Sequence, residues 1–209
     1  MKIAKGKLFV ISAPSGAGKT SLVKALLQRK PQLRFSISYT TRKPRPAEQH
    51  ERDYFFVDSN AAFEQMVKEG KFLEHAKVFD NYYGTAKAQV ESILNSGDHV
   101  ILEIDWQGAQ QIRKAMPECQ TIFILPPSRE ELERRLRTRG TDNDEVITRR
   151  LRDSVSDMTH WDEFDYVVIN NDFDHALCSL ANIVADKGEG FESERPELAG
   201  IVKGLLAKK

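Results

Sequence analysis

The sequence predicts an α/β chain: a parallel sheet flanked by helices, with a small α+β domain inserted into it. Three observations lead there. Short apolar runs alternate with amphipathic stretches at both ends of the chain, the grammar of strand–helix units that build a parallel sheet covered on both faces. The first run, Leu8-Phe9-Val10-Ile11, passes straight into a glycine-rich turn and then a helical stretch. Between about 35 and 97 the texture changes to short β-prone pieces, aromatics and turns. The chain therefore divides into a core of 1–34 and 98–209 and an insert of 35–97.

After the turn, Leu22, Val23, Leu26 and Leu27 share one helical face, and Pro31 ends that helix. Phe35 to Thr41 alternates and is β-prone, until Arg42-Lys43-Pro44-Arg45-Pro46 breaks it into a loop. Tyr54 to Val57 is a short strand. Ser59 caps a helix with Ala62, Phe63, Met66 and Val67 on its apolar face, stopped near Gly70. Phe72 to Phe79 is extended, Asn81-Tyr82-Tyr83-Gly84 turns, and Val90, Ile93 and Leu94 mark a helix ending at Gly97. His99 to Asp105 is a buried strand ending in an acid, followed by a helix from Ala109 to Ala115 and a strand from Gln120 to Leu125. Ser128 and Glu131 form a capping box for a helix through Leu132 and Leu136. Asp142 and Glu145 form a second, ahead of Val146, Ile147, Leu151, Val155 and Met158. Tyr166 to Ile169 is the last core strand and Ala176 to Val184 the last core helix. From about Lys187 the chain is Gly-rich, then weakly helical, and carries no functional signal.

Lys+Arg and Asp+Glu both number 31, so the formal net charge is zero. That argues against bulk binding to nucleic acid or to a membrane surface, which needs a basic excess. No apolar run approaches the ~18 residues of a membrane span. The N-terminus lacks the apolar segment of a signal peptide. Cys119 and Cys178 fit neither a Cys-x-x-Cys pair nor a disulfide framework, and both are read as reduced core thiols of a cytoplasmic protein. Composition leaves a homo-oligomer open.

The chemistry starts at Ser12-Ala13-Pro14-Ser15-Gly16-Ala17-Gly18-Lys19-Thr20-Ser21. Strand, glycine-rich turn and helix are the context of a phosphate-binding loop. Glycines let backbone N–H groups turn toward an anion, and the helix points its positive end at the same spot. Lys19 supplies a charge for the transferred phosphate and Thr20 a hydroxyl for Mg²⁺. The full pattern has Gly at the first position. Ala13 is tolerated there only if it keeps a negative φ.

A second anion site is read in Ser38-x-Thr40-Thr41-Arg42-x-Pro44-Arg45, because arginine forks suit phosphate oxygens; a solvated basic loop explains it equally well. Glu74 stands among apolar neighbours, and Tyr82-Tyr83-Gly84-Thr85 offers phenols and a hydroxyl. Glu103 and Asp105 share a strand face at the C-terminal end of a core strand, where α/β ligands bind and where acids hold Mg²⁺ through water or orient arginines. Arg135 and Arg139 lie four apart beside an interruption at 138–142, followed by Arg149, Arg150 and Arg152. A surface helix laced with ion pairs accounts for most of this charge; an arginine-bearing lid at about 135–150 accounts for its place beside a break.

Taken in order, Ala13-Pro-Ser-Gly-x-Gly-Lys-Thr20, Ser38-x-Thr-Thr-Arg42-x-Pro-Arg45, Asp53-Tyr54-x-Phe56-Val57, Phe72-Leu-Glu74, Asn81-Tyr-Tyr-Gly84, Glu103-Ile-Asp105-x-Gln107-Gly108, Pro126-Pro-Ser128, Arg139-Gly140-Thr141 and Val168-Ile-Asn170 resemble the guanylate kinase family, within the P-loop nucleoside monophosphate kinases. The resemblance implies ATP and GMP as substrates, Mg²⁺ with the ATP, GDP as product, and dGMP as a further acceptor. It implies that ATP lies on Ala13 to Ser21, with Asn170 near the adenine. It places the GMP phosphate on Ser38, Arg42, Arg45, Tyr54 and Tyr83, and guanine on Glu74, Thr85 and Asp105, with Glu103 beside them. Lys19, Arg42, Arg135, Arg139 and Arg150 are then the catalytic cations. Departures from the family pattern are Ala13 for Gly, Glu103 where Asp is frequent and Thr85 where Ser is frequent.

Three rivals are weighed. Asp105-x-x-Gly108 suits a GTPase, but the chain has no Asn-Lys-x-Asp. A silent guanylate-kinase-like binding module would not need the intact Gly16-x-Gly18-Lys19-Thr20. A kinase for a sugar phosphate would not need Glu74 and Thr85.

Overall fold

The computed structural model describes residues 4–78, 80–138 and 143–207. In chain order the elements are β1 (Leu8–Ser12), α1 (Lys19–Arg29), β2 (Leu33–Phe35), β3 (Tyr39–Thr40), β4 (Phe55–Phe56), α2 (Asn60–Lys68), β5 (Phe72–Val78), β6 (Asn81–Ala86) and α3 (Lys87–Asn95). They continue with β7 (His99–Glu103), α4 (Trp106–Ala115), β8 (Gln120–Leu125), α5 (Arg129–Thr138), α6 (Asp144–Met158), β9 (Tyr166–Ile169), α7 (Phe173–Val184) and α8 (Glu197–Leu206). One sheet has five strands in the order β2-β7-β1-β8-β9, and a second has four in the order β4-β3-β6-β5. All of β1 is buried, and each fully buried Leu, Ile, Val or Phe contributes roughly 1.5–3 kcal/mol.

The chain forms two compact units. One joins the chain up to Phe9 with Gln32–Cys119; the other joins Val10–Pro31 with the chain from Gln120. In the first unit β2 runs parallel to β7, from Leu33↔His99 to Phe35↔Ile101. The four-stranded sheet is fastened by rings: Phe63 stacks on Phe72 at 4.7 Å and on Tyr82 at 5.3 Å. Gly84 makes room for them, since a Cβ there would lie 3.0 Å from both Phe63 and Phe72. The α4 helix packs on β5, and α2 covers β5 and β6.

In the second unit β8 and β9 are parallel, from Ile122↔Tyr166 to Leu125↔Ile169. The α1 face of Leu22, Val23 and Leu26 is buried, and α7 packs against α1 and β9. The tail has a structural task. The Val167 N–H donates to Phe191 O at 2.8 Å, and Arg195 Nη2 donates to Val167 O at 3.0 Å. Those bonds occupy the outer edge of β9, which would otherwise be an open template for strand pairing.

Several expected boundaries move. The strand expected over 35–41 is two strands in two sheets, β2 and β3. At the junction Ser36 is buried, its N–H on Ile101 O at 3.2 Å and its hydroxyl on Gln89 Oε1 at 2.7 Å. Asn81 to Tyr83 are strand, not turn, because they pair with Val78, Lys77 and Ala76. Asp80, at φ 73, bends the chain ahead of them; Phe79 lies outside the described residues. The expected strand at Tyr54–Val57 shortens to Phe55–Phe56, and the strand through Asp105 stops at Glu103. Asp105 instead caps α4, accepting from the Gly108 N–H at 2.8 Å, so that helix starts at Trp106 rather than Ala109. Asp172 likewise starts α7 at Phe173, earlier than the expected Ala176. Ser128 caps α5 as expected, accepting from Glu131 N–H at 3.1 Å. The Glu131 carboxylate does not return the bond; it is bound by Arg134 and Arg135. Asn143 caps α6 in place of Asp142, which lies outside the described residues. Cys119 is buried, but Cys178 is exposed and not a core thiol; neither is in a disulfide.

Candidate active site

The glycine-rich loop has the backbone its composition calls for. Gly16 and Gly18 sit at φ 93 and φ 96, where a side chain is strained. A Cβ on Gly18 would also collide with Asn170 Nδ2. Among the described residues, positive φ outside glycine is confined to Glu51, Asp80 and Asp186, so Ala13 needs no glycine freedom. Gly18 opens α1 with no capping side chain. Lys19 is the first residue of that helix and half-buried; Thr20 and Ser21 follow in the first turn, exposed. Pro14 is buried and Ser15 half-buried. Pro14 O accepts from the Ala17 N–H at 3.2 Å, tightening the loop.

The carbonyl side of the loop is held from behind. Ala17 O accepts from Asn170 Nδ2 at 2.7 Å and from Arg135 Nη1 at 3.2 Å. Arg135 also gives Nη2 to Asn170 O at 3.0 Å and Nε to Glu131 at 2.7 Å. Asn170 is 4% exposed. Bonds from Arg134 and Arg135 hold the Glu131 carboxyl down at about 2, so it stays ionised. Ser154 Oγ adds a bond to Ser15 O at 3.2 Å. Two of the loop's carbonyls, Ala17 O and Ser15 O, are thus tied to side chains of α5, α6 and the end of β9. Arg150 is half-buried on α6. Arg139 lies outside the described residues.

Of the residues expected at the second anion site, Arg42, Tyr54 and Tyr83 lie together. Arg42 lies over the Tyr54 ring, 5.2 Å from its centroid, and over Phe56 at 6.0 Å. The Tyr54 and Tyr83 rings are 6.2 Å apart at 65°. Burial raises the Tyr54 hydroxyl above its usual range, the charge of Glu103 adds to that, and Arg42 opposes it. The phenol therefore stays a proton donor at neutral pH. Arg45 is exposed in the same loop. Ser38 is half-buried, and its carbonyl accepts from Phe55 N–H at 2.9 Å. Glu103, at the end of β7, is half-buried.

Glu74 is 3% exposed in the middle of β5. The Thr85 hydroxyl donates to its Oε1 at 2.6 Å. Burial pushes the carboxyl up to about 7; the Thr85 bond works against this and the charge of Asp105 adds to it. Gly108 lets the carboxylate approach α4, since a Cβ there would lie 2.7 Å from Oε2. Burying a carboxylate is costly, which makes Glu74 a candidate for accepting from a ligand.

A family model described as guanylate kinase matches residues 5–187. The chain belongs to the guanylate kinase family. The guanylate kinase of Chromohalobacter salexigens is 52% identical over 205 residues, 98% of this chain and 95% of that relative. The guanylate kinase of Escherichia coli (strain K12) is 48% identical over 207 residues, 98% of this chain and 100% of that relative. The crystal structure of guanylate kinase from Anaplasma phagocytophilum superposes with a TM-score of 0.74 at 29% identity, over 100% of both chains.

In this guanylate kinase fold the nine residues expected for the acceptor, Ser38 through Asp105, all fall in the first unit. The loop, Arg135, Arg150 and Asn170 all fall in the second. Two residues escaped the sequence reading. Gly108 belongs to a recognisable motif, but the motif does not reveal that this glycine clears space for Glu74. Glu48 was missed outright: it accepts from Arg42 Nη2 at 2.9 Å and from Arg45 N–H at 2.8 Å. The available signal was an acid three residues after Arg45, in a loop that opens with Arg42, Lys43 and Arg45.

Proposed function

We propose that this family member transfers the γ-phosphoryl group of ATP to GMP, and to dGMP, releasing ADP and the nucleoside diphosphate. The observation that carries the acceptor's identity is the buried Glu74 carboxylate held by Thr85. Guanine presents N1–H and N2–H₂ as adjacent donors, and a carboxylate accepts both. Adenine offers an acceptor at the same edge and meets repulsion there. Residues 35–97, with Glu103 and Asp105, form the GMP side of the enzyme. Arg42, Arg45, Ser38, Tyr54 and Tyr83 take the phosphate.

ATP phosphates lie on Ala13 to Ser21. Asn170 and Arg135 act on them through the Ala17 carbonyl they both bind. A GMP phosphate oxygen attacks the γ-phosphorus in line, forming one P–O bond as the bond to the β–γ bridging oxygen breaks. No general base is required, because a phosphate monoester with a second pKa of about 6 is already a dianion at pH 7. Catalysis is then positioning and neutralisation of charge by Lys19 and by the lid cations Arg135, Arg139 and Arg150.

Mg²⁺ fits this donor set. It is a hard cation that takes one or two protein oxygens and otherwise nucleotide phosphates and water, and the Thr20 hydroxyl in the first turn of α1 is such an oxygen. When bound it supplies positive charge to the β- and γ-phosphate oxygens. We place the enzyme in the cytoplasm, in keeping with two cysteines that form no disulfide.

Glu74→Ala tests the reading. It raises the GMP requirement steeply and spares ATP binding. Loss of both together would mark a folding defect and leave guanine without its reader.

A further inference from the structure

We propose that Glu48 is a positioning residue for the acceptor phosphate: it sets the Arg42 guanidinium and the Arg45 backbone in the places from which they take that group. The proposal rests on the reading of Arg42 and Arg45 as the phosphate site. The two carboxylate oxygens divide the work. Oε1 accepts from Arg42 Nη2 at 2.9 Å, and Oε2 accepts from the Arg45 N–H at 2.8 Å. The Glu48 N–H donates back to Arg45 O at 2.9 Å, closing the turn Arg45-Pro46-Ala47-Glu48 on itself. The Arg45 guanidinium stays 3.7 Å from Oε1.

The need for such a clamp follows from the local chain. Neither helix nor strand occurs between Thr40 and Phe55. A long arginine on an irregular loop samples many rotamers, and freezing them on binding weakens affinity. Here much of that freedom is removed beforehand. Arg42 Nη1 donates to Lys43 O at 2.8 Å, its plane lies over Tyr54, and Glu48 holds Nη2. A guanidinium carries five N–H donors, so these two bonds do not exhaust it. The Arg42 and Glu48 side chains are 17% and 16% exposed, which weakens screening of the pair by salt. Burial by itself would raise the Glu48 carboxyl, but the bonds from Arg42 and Arg45 outweigh it and hold it below the usual range. The clamp is thus ionised and in place at neutral pH.

The test is calorimetric binding of GMP and of guanosine to the full chain carrying Glu48→Ala, Glu48→Gln or Arg42→Ala. A clamp on the phosphate site predicts that Glu48→Ala weakens GMP about tenfold, the weight of a hydrogen bond to a charged group, while guanosine changes less than about twofold. Glu48→Gln keeps one oxygen for one of the two donors and gives an intermediate loss. Equal losses for GMP and guanosine, no loss for GMP, or tighter GMP binding would each overturn the proposal. The last would make Glu48 a competitor of the phosphate. Arg42→Ala separates the two levels. If it spares GMP, the phosphate-site reading fails; if it weakens GMP and Glu48→Ala does not, only the role of Glu48 fails.

Discussion

Thr85 and Glu74 face each other as register partners of β6 and β5, and the Thr85 hydroxyl donates to Glu74 Oε1 at 2.6 Å. The side-chain bond uses only the hydroxyl, which a serine would equally supply. The bond fixes one carboxylate oxygen, while burial pushes the group up to about 7. Both consequences can be measured.

The first is a pH dependence of nucleoside binding. Guanine needs an accepting carboxylate, so binding to the protonated form must expel a proton. Guanosine is the ligand of choice, because it lacks the phosphate that titrates at about 6. Its affinity should fall about tenfold between pH 8 and pH 6, from a site titrating near 7. Glu74→Gln should flatten that profile as well as weaken binding. Titration calorimetry across the range checks it.

The second is a stability cost. The folded-state carboxyl titrates near 7 and the unfolded one near its ordinary 4.5. Between those values the folded state binds more protons than the unfolded, so stability falls as pH rises. The penalty is absent below 4.5 and complete above 7, where it is on the order of 3 kcal/mol. Thermal melts should therefore show Glu74→Gln stabilising the protein more at pH 8 than at pH 5.

The loop glycines should behave unlike the alanine before them. Gly18→Ala introduces a Cβ at φ 96 and against Asn170. It should abolish ATP binding, or raise the ATP KM beyond about a hundredfold, as a backbone strained by a few kcal/mol would do. Ala13→Gly should leave the ATP KM within about twofold and lower stability by about 0.5–1 kcal/mol through chain entropy. Steady-state kinetics and melts on both variants distinguish the positions.

Asn170→Ala removes the 2.7 Å bond to Ala17 O. A loop braced by that bond predicts an ATP KM raised about tenfold with the GMP KM unchanged. A change confined to GMP would break the link between Asn170 and the loop.

The alternation of apolar strands with amphipathic helices, and the glycine-lysine-threonine turn, are local patterns, and the sequence carries them openly. What it hides is what depends on contact between distant segments. The switch of sheets at Ser36 is set by Ile101 and Gln89, neither of which leaves a mark on the stretch from 35 to 41. Asp105 looks like one more strand acid, because capping by an aspartate at a strand–helix junction has the same composition as a strand end. Asn170 and Arg135 meet on Ala17 from 153 and 118 residues away, a convergence no spacing rule contains. Glu48 was lost for the opposite reason: it is near in sequence, but an acid among arginines reads as ordinary surface charge.

The most direct measurement is ADP formation from Mg-ATP with a panel of acceptors: GMP, dGMP, AMP, CMP, UMP and ribose phosphates. A carboxylate-and-hydroxyl pocket for guanine predicts turnover with GMP and dGMP alone. Turnover with AMP or with a ribose phosphate in place of GMP would contradict the assignment of Glu74 and Thr85, while leaving the phosphate loop in place.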